Sequence, residues 1–405
     1  MDIKNIKKEF PIFKQKINGK PLIYLDSANS SQKPKVVIDR ISHFYETEFS
    51  NVGRSVHALA VKATNRFETT RDKVQKYLNA NHREEIIFTK GATEAINLVA
   101  SSYGKKYINK GDEILITELE HHSNYVPWNF LRTEKGAVIK FAQVNENGDV
   151  ELNEIKKLIT SKTKIIAITH ISNVTGAVLP ITKIVELAKE KKIPVLIDGT
   201  QGAPHSEIDI QKIGCDFYAI SCHKMYGPNG LGLLYMKKKW VDDLPPYQGG
   251  GGMINEVKKD EISFADAHTK FEAGTMQTAE VVAFAESLNF IDKLGIKNIA
   301  SHENEILQYG LEILKKNNSI NIIGDPKERG SVLCFTLKDI HPHDIATILD
   351  DDGVAIRAGH HCCQILHDKL GIPATARASI GVYNDKEDID KLSDAIKNCQ
   401  KVFQN

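Results

Sequence analysis

Two residues at the ends of neighbouring apolar runs could share one piece of covalent chemistry. Asp198 closes the run Pro194-Val195-Leu196-Ile197, and Lys224 follows the next run in Ser221-Cys222-His223-Lys224. Either residue alone reads as an ordinary exposed charge. A lysine whose pKa falls from about 10.4 on burial can form a Schiff base, and a nearby carboxylate can hold a pyridinium nitrogen protonated. That pairing is what pyridoxal 5'-phosphate needs, because its ring withdraws electrons fully only when the nitrogen carries a proton. Gly91-Ala92-Thr93-Glu94 falls between a strand-like run and a helical one, where backbone N–H groups and the Thr93 hydroxyl would face a phosphate; it reads equally as an N-capped turn. Ser221 and His223 are further candidate phosphate donors. In Glu118-Leu119-Glu120-His121-His122-Ser123-Asn124 one imidazole could stack on a flat cofactor and move protons near neutrality, although paired histidines are also common in solvated loops.

A second kind of chemistry is suggested by Arg357-Ala358-Gly359-His360-His361-Cys362-Cys363. Adjacent His-His-Cys-Cys side chains diverge, whereas zinc ligands are ordinarily separated by two or more residues, so no metal site is expected. A cysteine on a glycine-containing loop between His and Arg fits a thiol with an enhanced thiolate fraction. Cys215, Cys334 and Cys399 sit in apolar or helical contexts and read as inert buried thiols, while Cys222 and Cys363 stay open. Arg377, in the apolar run Ala376-Arg377-Ala378-Ser379, needs an anion; a substrate carboxylate and an internal Asp or Glu are equally suitable.

The elements that must position these groups follow from the hydrophobic pattern. Between about 85 and 236, runs such as Ile114-Leu115-Ile116, Ile165-Ile166-Ala167-Ile168, Val195-Leu196-Ile197 and Leu233-Leu234-Tyr235 are apolar throughout and alternate with helical patterns. Strands of this kind are buried on both faces, which predicts an α/β fold with a mostly parallel sheet sandwiched by helices. Polar residues directly after those strands then lie where open α/β sheets bind ligands. Beyond about residue 280 the pattern changes to helices and short strands, which predicts a smaller α+β domain. The expected division is 21–290 for the large domain, with 1–20 and 291–405 forming the small one and carrying the loop at about 353–366.

The 405 residues are 41% apolar, enough to bury a substantial core, and 53 Lys plus Arg against 52 Asp plus Glu leave a formal charge of +1. A near-neutral chain has no field for gripping nucleic acid or an anionic membrane. Charges occupy the N-terminal positions where a signal peptide needs its apolar stretch, and six cysteines without C-x-x-C spacing suggest reduced thiols; a cytoplasmic location is expected.

The ordered set of motifs resembles the fold-type I pyridoxal-phosphate enzymes of the class V aminotransferase superfamily, and within it the SUF-type (group II) cysteine desulfurases. The likeness runs from Tyr24-Leu25-Asp26-Ser27-Ala28 through the stretches above, with Thr169-His170-Ile171-Ser172-Asn173-Val174, Asp198-Gly199-Thr200-Gln201 and Phe271-Glu272-Ala273-Gly274-Thr275, to Arg377-Ala378-Ser379. The resemblance implies that Lys224 bears the cofactor, Asp198 pairs with its ring nitrogen, Gln201 bonds its ring oxygen and His121 stacks on it. Ala92, Thr93, Ser221 and His223 would hold the phosphate, with Thr275 from the other subunit of a homodimer. Asn173 and Arg377 would take the substrate carboxylate, and Arg357 would support the loop on which Cys362 is the nucleophile.

The implied reaction converts L-cysteine to L-alanine, leaving a persulfide on Cys362. His361 or the substrate would help deprotonate that thiol, and an acceptor protein of the SufE or SufU type would carry sulfur to iron–sulfur cluster assembly. Selenocysteine lyase activity, or another class V transamination or lyase reaction, is the alternative; of these a transamination needs no thiol at 362. Gly53, in the loop Val52-Gly53-Arg54-Ser55-Val56-His57, departs from the family pattern, as do Met276, Gln277, Cys222 and Cys363. Cys363 is expected to be a spectator.

Overall fold

The computed structural model describes residues 1–53 and 55–404. Its central element is a seven-stranded sheet formed by β1 (Ile86–Thr89), β2 (Glu113–Thr117), β3 (Val138–Ala142), β4 (Thr163–Thr169), β5 (Val195–Asp198), β6 (Phe217–Ser221) and β7 (Gly232–Met236). The spatial order is β1-β7-β6-β5-β4-β2-β3, and only β7 runs against the rest. The sheet is therefore mostly parallel, the arrangement that uniformly apolar strands require. Alternate side chains feed two separate cores. Ile114, Ile116, Ala167, Leu196 and Ala219 pack on one face, and Leu115, Ile166, Ile168, Ile197 and Ile220 on the other. Each buried Ile or Leu contributes about 1.5–3 kcal/mol relative to exposure.

One edge differs from the sequence expectation. The segment after β2 reads as a polar loop, yet it contains a short 3-10 turn at His122–Asn124, a helix α4 (Val126–Lys135) and the strand β3. As an edge strand β3 pairs only with β2, and its first four residues are not fully buried, so it lacks the continuous apolar run of the inner strands. Three earlier helices complete the framework: α1 (Lys35–Thr47), α2 (Ala58–Leu78) and α3 (Ala92–Tyr107).

A second sheet, antiparallel and of four strands, is built from β8 (Ile320–Ile322), β9 (Val332–Leu337), β10 (Arg357–Gly359) and β11 (Thr375–Ser379), in the order β8-β9-β11-β10. Its core includes Leu333, Phe335, Ala376, Ala378, Ile389 and Ile396. The register places Arg357 opposite Arg377 and Gly359 opposite Thr375, so the Cys362 loop leaves this sheet beside β11. Leu25 N–H donates to Ala355 O and Ser379 N–H to Leu25 O, tying the N-terminal segment to the same region. No described helix is long and apolar enough to cross a membrane.

Candidate active site

The ends of β4, β5 and β6 open onto a cavity of about 240 Å³ whose lining includes Ala92, Thr93, His121, Asn173, Asp198, Gln201, Ser221, His223, Lys224, Arg357 and Cys362. Residues far apart in the chain thus converge where the strand-end argument places a ligand. Lys224 ends the 3-10 turn Cys222–Lys224 after β6, and burial lowers its amine to about 8, with Arg377 assisting and Asp198 opposing. Asp198 is the last residue of β5; its Oδ1 accepts the Thr200 N–H at 3.0 Å, and burial pushes its carboxyl up. Gln201 Nε2 donates to Ala28 O at 2.8 Å, leaving its amide oxygen unengaged by that bond.

His121 is fixed by its own turn. Its Nδ1 accepts the Ser123 N–H at 3.1 Å, which places the proton of the neutral ring on Nε2, and burial lowers the ring to about 3. The turn is anchored through Glu120, whose carboxylate accepts from Thr169 N–H (3.0 Å), Thr117 Oγ1 (2.7 Å) and Asn124 Nδ2 (2.6 Å). At the other side, Ala92 N–H at the start of α3 donates to Ser221 Oγ at 3.0 Å, and Thr93 Oγ1 lies 2.7 Å from Ser123 Oγ. A side chain on Gly232 would come within 2.4 Å of Gly91 Cα, so glycine is needed for β7 to lie against this turn.

A phosphorylated pyridine aldehyde fits these residues. Backbone N–H groups and hydroxyls gather at a helix N-terminus, where anions are favoured, and a partly neutral amine and a buried carboxyl share the lining. Thr200 Oγ1 is buried there without a hydrogen-bond partner among the described residues. Thr169, at the end of its strand, lines the cavity as the strand-end argument expects, and Thr200, Ser123, Ile171 and Asn29 line it without a role of their own in the sequence reading. Thr200, Ser123 and Ile171 lie inside motifs that the sequence presents; Asn29 carries no local signal and enters because its Oδ1 accepts from Arg357 Nη1 at 2.8 Å.

The Cys362 loop approaches from the second sheet. His361 and Cys362 both adopt left-handed backbone, with φ of 52° and 57°. Consecutive non-glycine residues in this region are strained, by about 1–3 kcal/mol each, and persist only where surrounding contacts hold them. Asn173 Nδ2 donates to His361 O at 2.7 Å, and His122 N–H donates to Cys362 O at 2.7 Å. Arg357 Nη2 is 3.9 Å from Cys362 Sγ. Cys363 points the other way, with its Sγ 3.5 Å from Leu119 O, and burial raises its thiol far above the ordinary range. Cys222 is likewise buried and raised.

One expectation changes in this setting, and two others gain a structural context. His361 does not suit the base for Cys362: burial holds its ring at about 2, and its Nε2 bonds Thr375 Oγ1 at 2.9 Å. Arg377 meets an internal acid, with Nη2 3.3 Å from Asp26 Oδ1 and Nη1 donating to Asn173 O at 3.0 Å. It is not among the residues lining the cavity, and its Nε is buried without a partner among the described residues. Thr275 is outside the cavity of its own chain; it lies exposed in a separate depression that Gly53 and Met276 also line. Arg54 of that neighbouring loop lies outside the described residues, whereas Gln277, the other departure there, has a buried Oε1 without a partner among the described residues.

The sequence pattern described as Aminotransferase class-V matches residues 23–392. The chain belongs to the class V aminotransferase family. Members of this family depend on pyridoxal phosphate. A probable cysteine desulfurase of Halalkalibacterium halodurans is 43% identical, covering 100% of this chain and 99% of the relative. One from Staphylococcus epidermidis is 46% identical, covering 99% and 98%. Among solved structures, the cysteine desulfurase CsdA of Escherichia coli superposes with a TM-score of 0.92 at 34% identity, covering 99% of each chain. The apo cysteine desulfurase of Thermococcus onnurineus gives 0.93 at 32% identity, with 98% of each chain covered. Within the family, the site just described is therefore set in a chain similar to cysteine desulfurases over its full length.

Proposed function

We propose that this class V protein is a pyridoxal-phosphate-dependent cysteine desulfurase, converting L-cysteine to L-alanine and retaining the sulfur on Cys362. The observation that carries this reading is that one cavity is lined by both a desolvated lysine and an accessible cysteine on a separately anchored loop. When bound, the cofactor supplies an electrophilic aldehyde and a ring that stabilises negative charge at the substrate α-carbon.

Lys224 would hold the cofactor covalently. Its lowered amine pKa makes the neutral form available as nucleophile and then as the base for the α-proton. Asp198 would keep the ring nitrogen protonated, Gln201 would bond the ring oxygen, and His121 would cover the ring with a neutral imidazole. Ala92 N–H, Thr93, Ser221 and His223 would hold the phosphate. Asn173 and Arg377 would receive the substrate carboxylate; for Arg377 this means exchanging or sharing Asp26.

Cys362 would attack the substrate sulfur, forming an S–S bond as the substrate C–S bond breaks and its electron pair passes to carbon. Arg357 sets a cation beside the sulfur that takes on negative charge. Because burial leaves the His361 ring only weakly basic, the substrate itself is the better proton acceptor for the thiol.

The same reading includes a homodimer in which Thr275 reaches the partner's phosphate site, supported by its position on an exposed loop away from its own cavity. It also includes a sulfur-acceptor protein, a SUF-type role in supplying iron–sulfur assembly, a cytoplasmic setting, and a division at about residue 290 into a large domain and a small domain that carries the Cys362 loop. Incubation with L-cysteine and a reductant, following alanine yield and the visible spectrum together, tests the assignment. Stoichiometric production of alanine and sulfide supports it, and a cofactor-loaded protein that makes no alanine refutes it.

A further inference from the structure

At the base of the Cys362 loop, four groups meet one hydroxyl. Thr375 Oγ1 lies 2.9 Å from His361 Nε2, 3.1 Å from His367 Nε2 and 3.1 Å from Cys334 Sγ, and all of these residues are buried. Gly359 O is a fourth, more distant neighbour at 3.5 Å.

The protons of this cluster can be assigned one by one. His367 Nδ1 is 2.9 Å from Cys363 O. A carbonyl only accepts, so Nδ1 carries the proton of this neutral ring and Nε2 is a bare acceptor. Burial lowers the pKa of His367, consistent with a neutral ring. The contact between His367 Nε2 and Thr375 must then use the single hydroxyl proton of Thr375. With that proton committed, His361 must donate from Nε2 to the Thr375 oxygen, and Cys334 donates its S–H to the second lone pair. The hydroxyl is thereby saturated: two bonds accepted and one given. His361 Nδ1 is left as an unprotonated lone pair, and this is the atom that is buried without a partner among the described residues. The Thr375 assignment makes that orphan a lone pair rather than an N–H, the less costly of the two atoms to bury unpaired.

We infer that Thr375 is the positioning residue for the nucleophile loop. Its hydroxyl holds the His361 ring on one side and, through His367, the Cys363 carbonyl on the other, so it grips both neighbours of Cys362. Those grips retain the left-handed backbone of His361 and Cys362, which has no intrinsic stability of its own. Thr375 is rigidly placed for this task, since it is the first residue of β11 and pairs with Gly359 where the loop begins. The role rests on the proposed assignment of Cys362 as nucleophile.

Thr375→Val keeps the shape and removes the hydroxyl, while Thr375→Ser restores it. In the cofactor-loaded enzyme, Thr375→Val is expected to change the iodoacetamide alkylation rate of Cys362 and to lower kcat for alanine formation, each by about tenfold. KM for L-cysteine and the visible spectrum should change little, and Thr375→Ser should stay within about twofold of the unaltered protein in all four. His367→Phe, which leaves Thr375 in place, should move alkylation and kcat in the same direction and serves if Thr375→Val does not fold. The inference is overturned if the folded variant of either residue keeps both rates within twofold, or if Thr375→Ser is as impaired as Thr375→Val. Cys362→Ser assayed alongside separates the two layers: retained alanine formation removes Cys362 as nucleophile, while the alkylation rates still decide what Thr375 does to the loop.

Discussion

The cavity is faced by an amine and a thiol held in opposite ways. The Lys224 turn follows directly from an inner strand, and its backbone is clamped from several directions. His223 O accepts from Ser31 N–H (3.1 Å), Ser31 Oγ (3.0 Å) and Lys33 Nζ (2.7 Å), while Tyr226 N–H donates to Ser31 Oγ at 2.8 Å. The Cys362 loop leaves a three-residue strand, carries two left-handed residues and is held by a few hydrogen bonds to side chains and one to the His122 backbone. The contrast matches the work proposed for each group. An amine that must meet one fixed atom benefits from rigid placement and desolvation. A thiol that must first reach bound substrate and then present sulfur to another protein needs a loop that can leave its position at modest cost.

Substitutions should separate these two kinds of attachment. The largest effect is expected for Lys224→Ala, with activity down on the order of 10³-fold or more and the visible absorbance of the bound cofactor lost; an unchanged yellow spectrum would remove Lys224 from its role. Next come the supports. Lys33→Met removes an amine, lowered by burial to about 7, that donates to Ser31 O at 2.6 Å and His223 O at 2.7 Å, and should destabilise the fold by about 1–3 kcal/mol in denaturant titrations. Asn173→Ala removes the side-chain bond to the loop carbonyl of His361, so it should cost about 0.5–1.5 kcal/mol of stability while altering Cys362 alkylation more than Lys33→Met does. Equal effects of the two changes on alkylation would erase the distinction between turn and loop.

A pH experiment addresses the amine directly. Because the Lys224 ammonium is destabilised by burial, its neutral form appears at lower pH than in an ordinary lysine. The rate at which pyridoxal phosphate adds to the apoprotein should therefore rise with pH, be half-maximal near about 8 and level off above it. A rate still climbing steeply near pH 10 would indicate an unperturbed amine. The smallest effect is expected for Cys363→Ser, with desulfurase activity within about twofold, since a deeply buried thiol is a poor nucleophile.

Much of this comparison is visible in the sequence, but unevenly. The inner strands declare themselves because burial on both faces leaves continuous apolar runs, and Asp198 and Lys224 are legible because each sits immediately after one. The edge strand β3 escapes notice because it mixes Lys140 with Val138, Ile139 and Phe141 and is not fully covered. Supports remote in sequence are harder still. Asp26 meets Arg377 across 351 residues, and Lys33 reaches His223 across 190. Local pattern cannot reveal such pairs, since nothing near Arg377 distinguishes an internal carboxylate from a bound one. For Cys362, the sequence yields a thiol among positive neighbours; only the fold shows that the adjacent His361 is buried, neutral and bonded to Thr375.

The central claim is that sulfur from free cysteine is taken up at position 362 through chemistry that needs Lys224. Peptide mass mapping after brief exposure to L-cysteine without reductant tests it most directly, using Cys363→Ser and Cys362→Ser proteins to resolve the adjacent thiols. One added sulfur is expected on the peptide spanning Cys362 in the Cys363→Ser protein, none in Cys362→Ser, and none when Lys224→Ala is combined with Cys363→Ser. Added sulfur on that peptide in Cys362→Ser, or its persistence without Lys224, would contradict it.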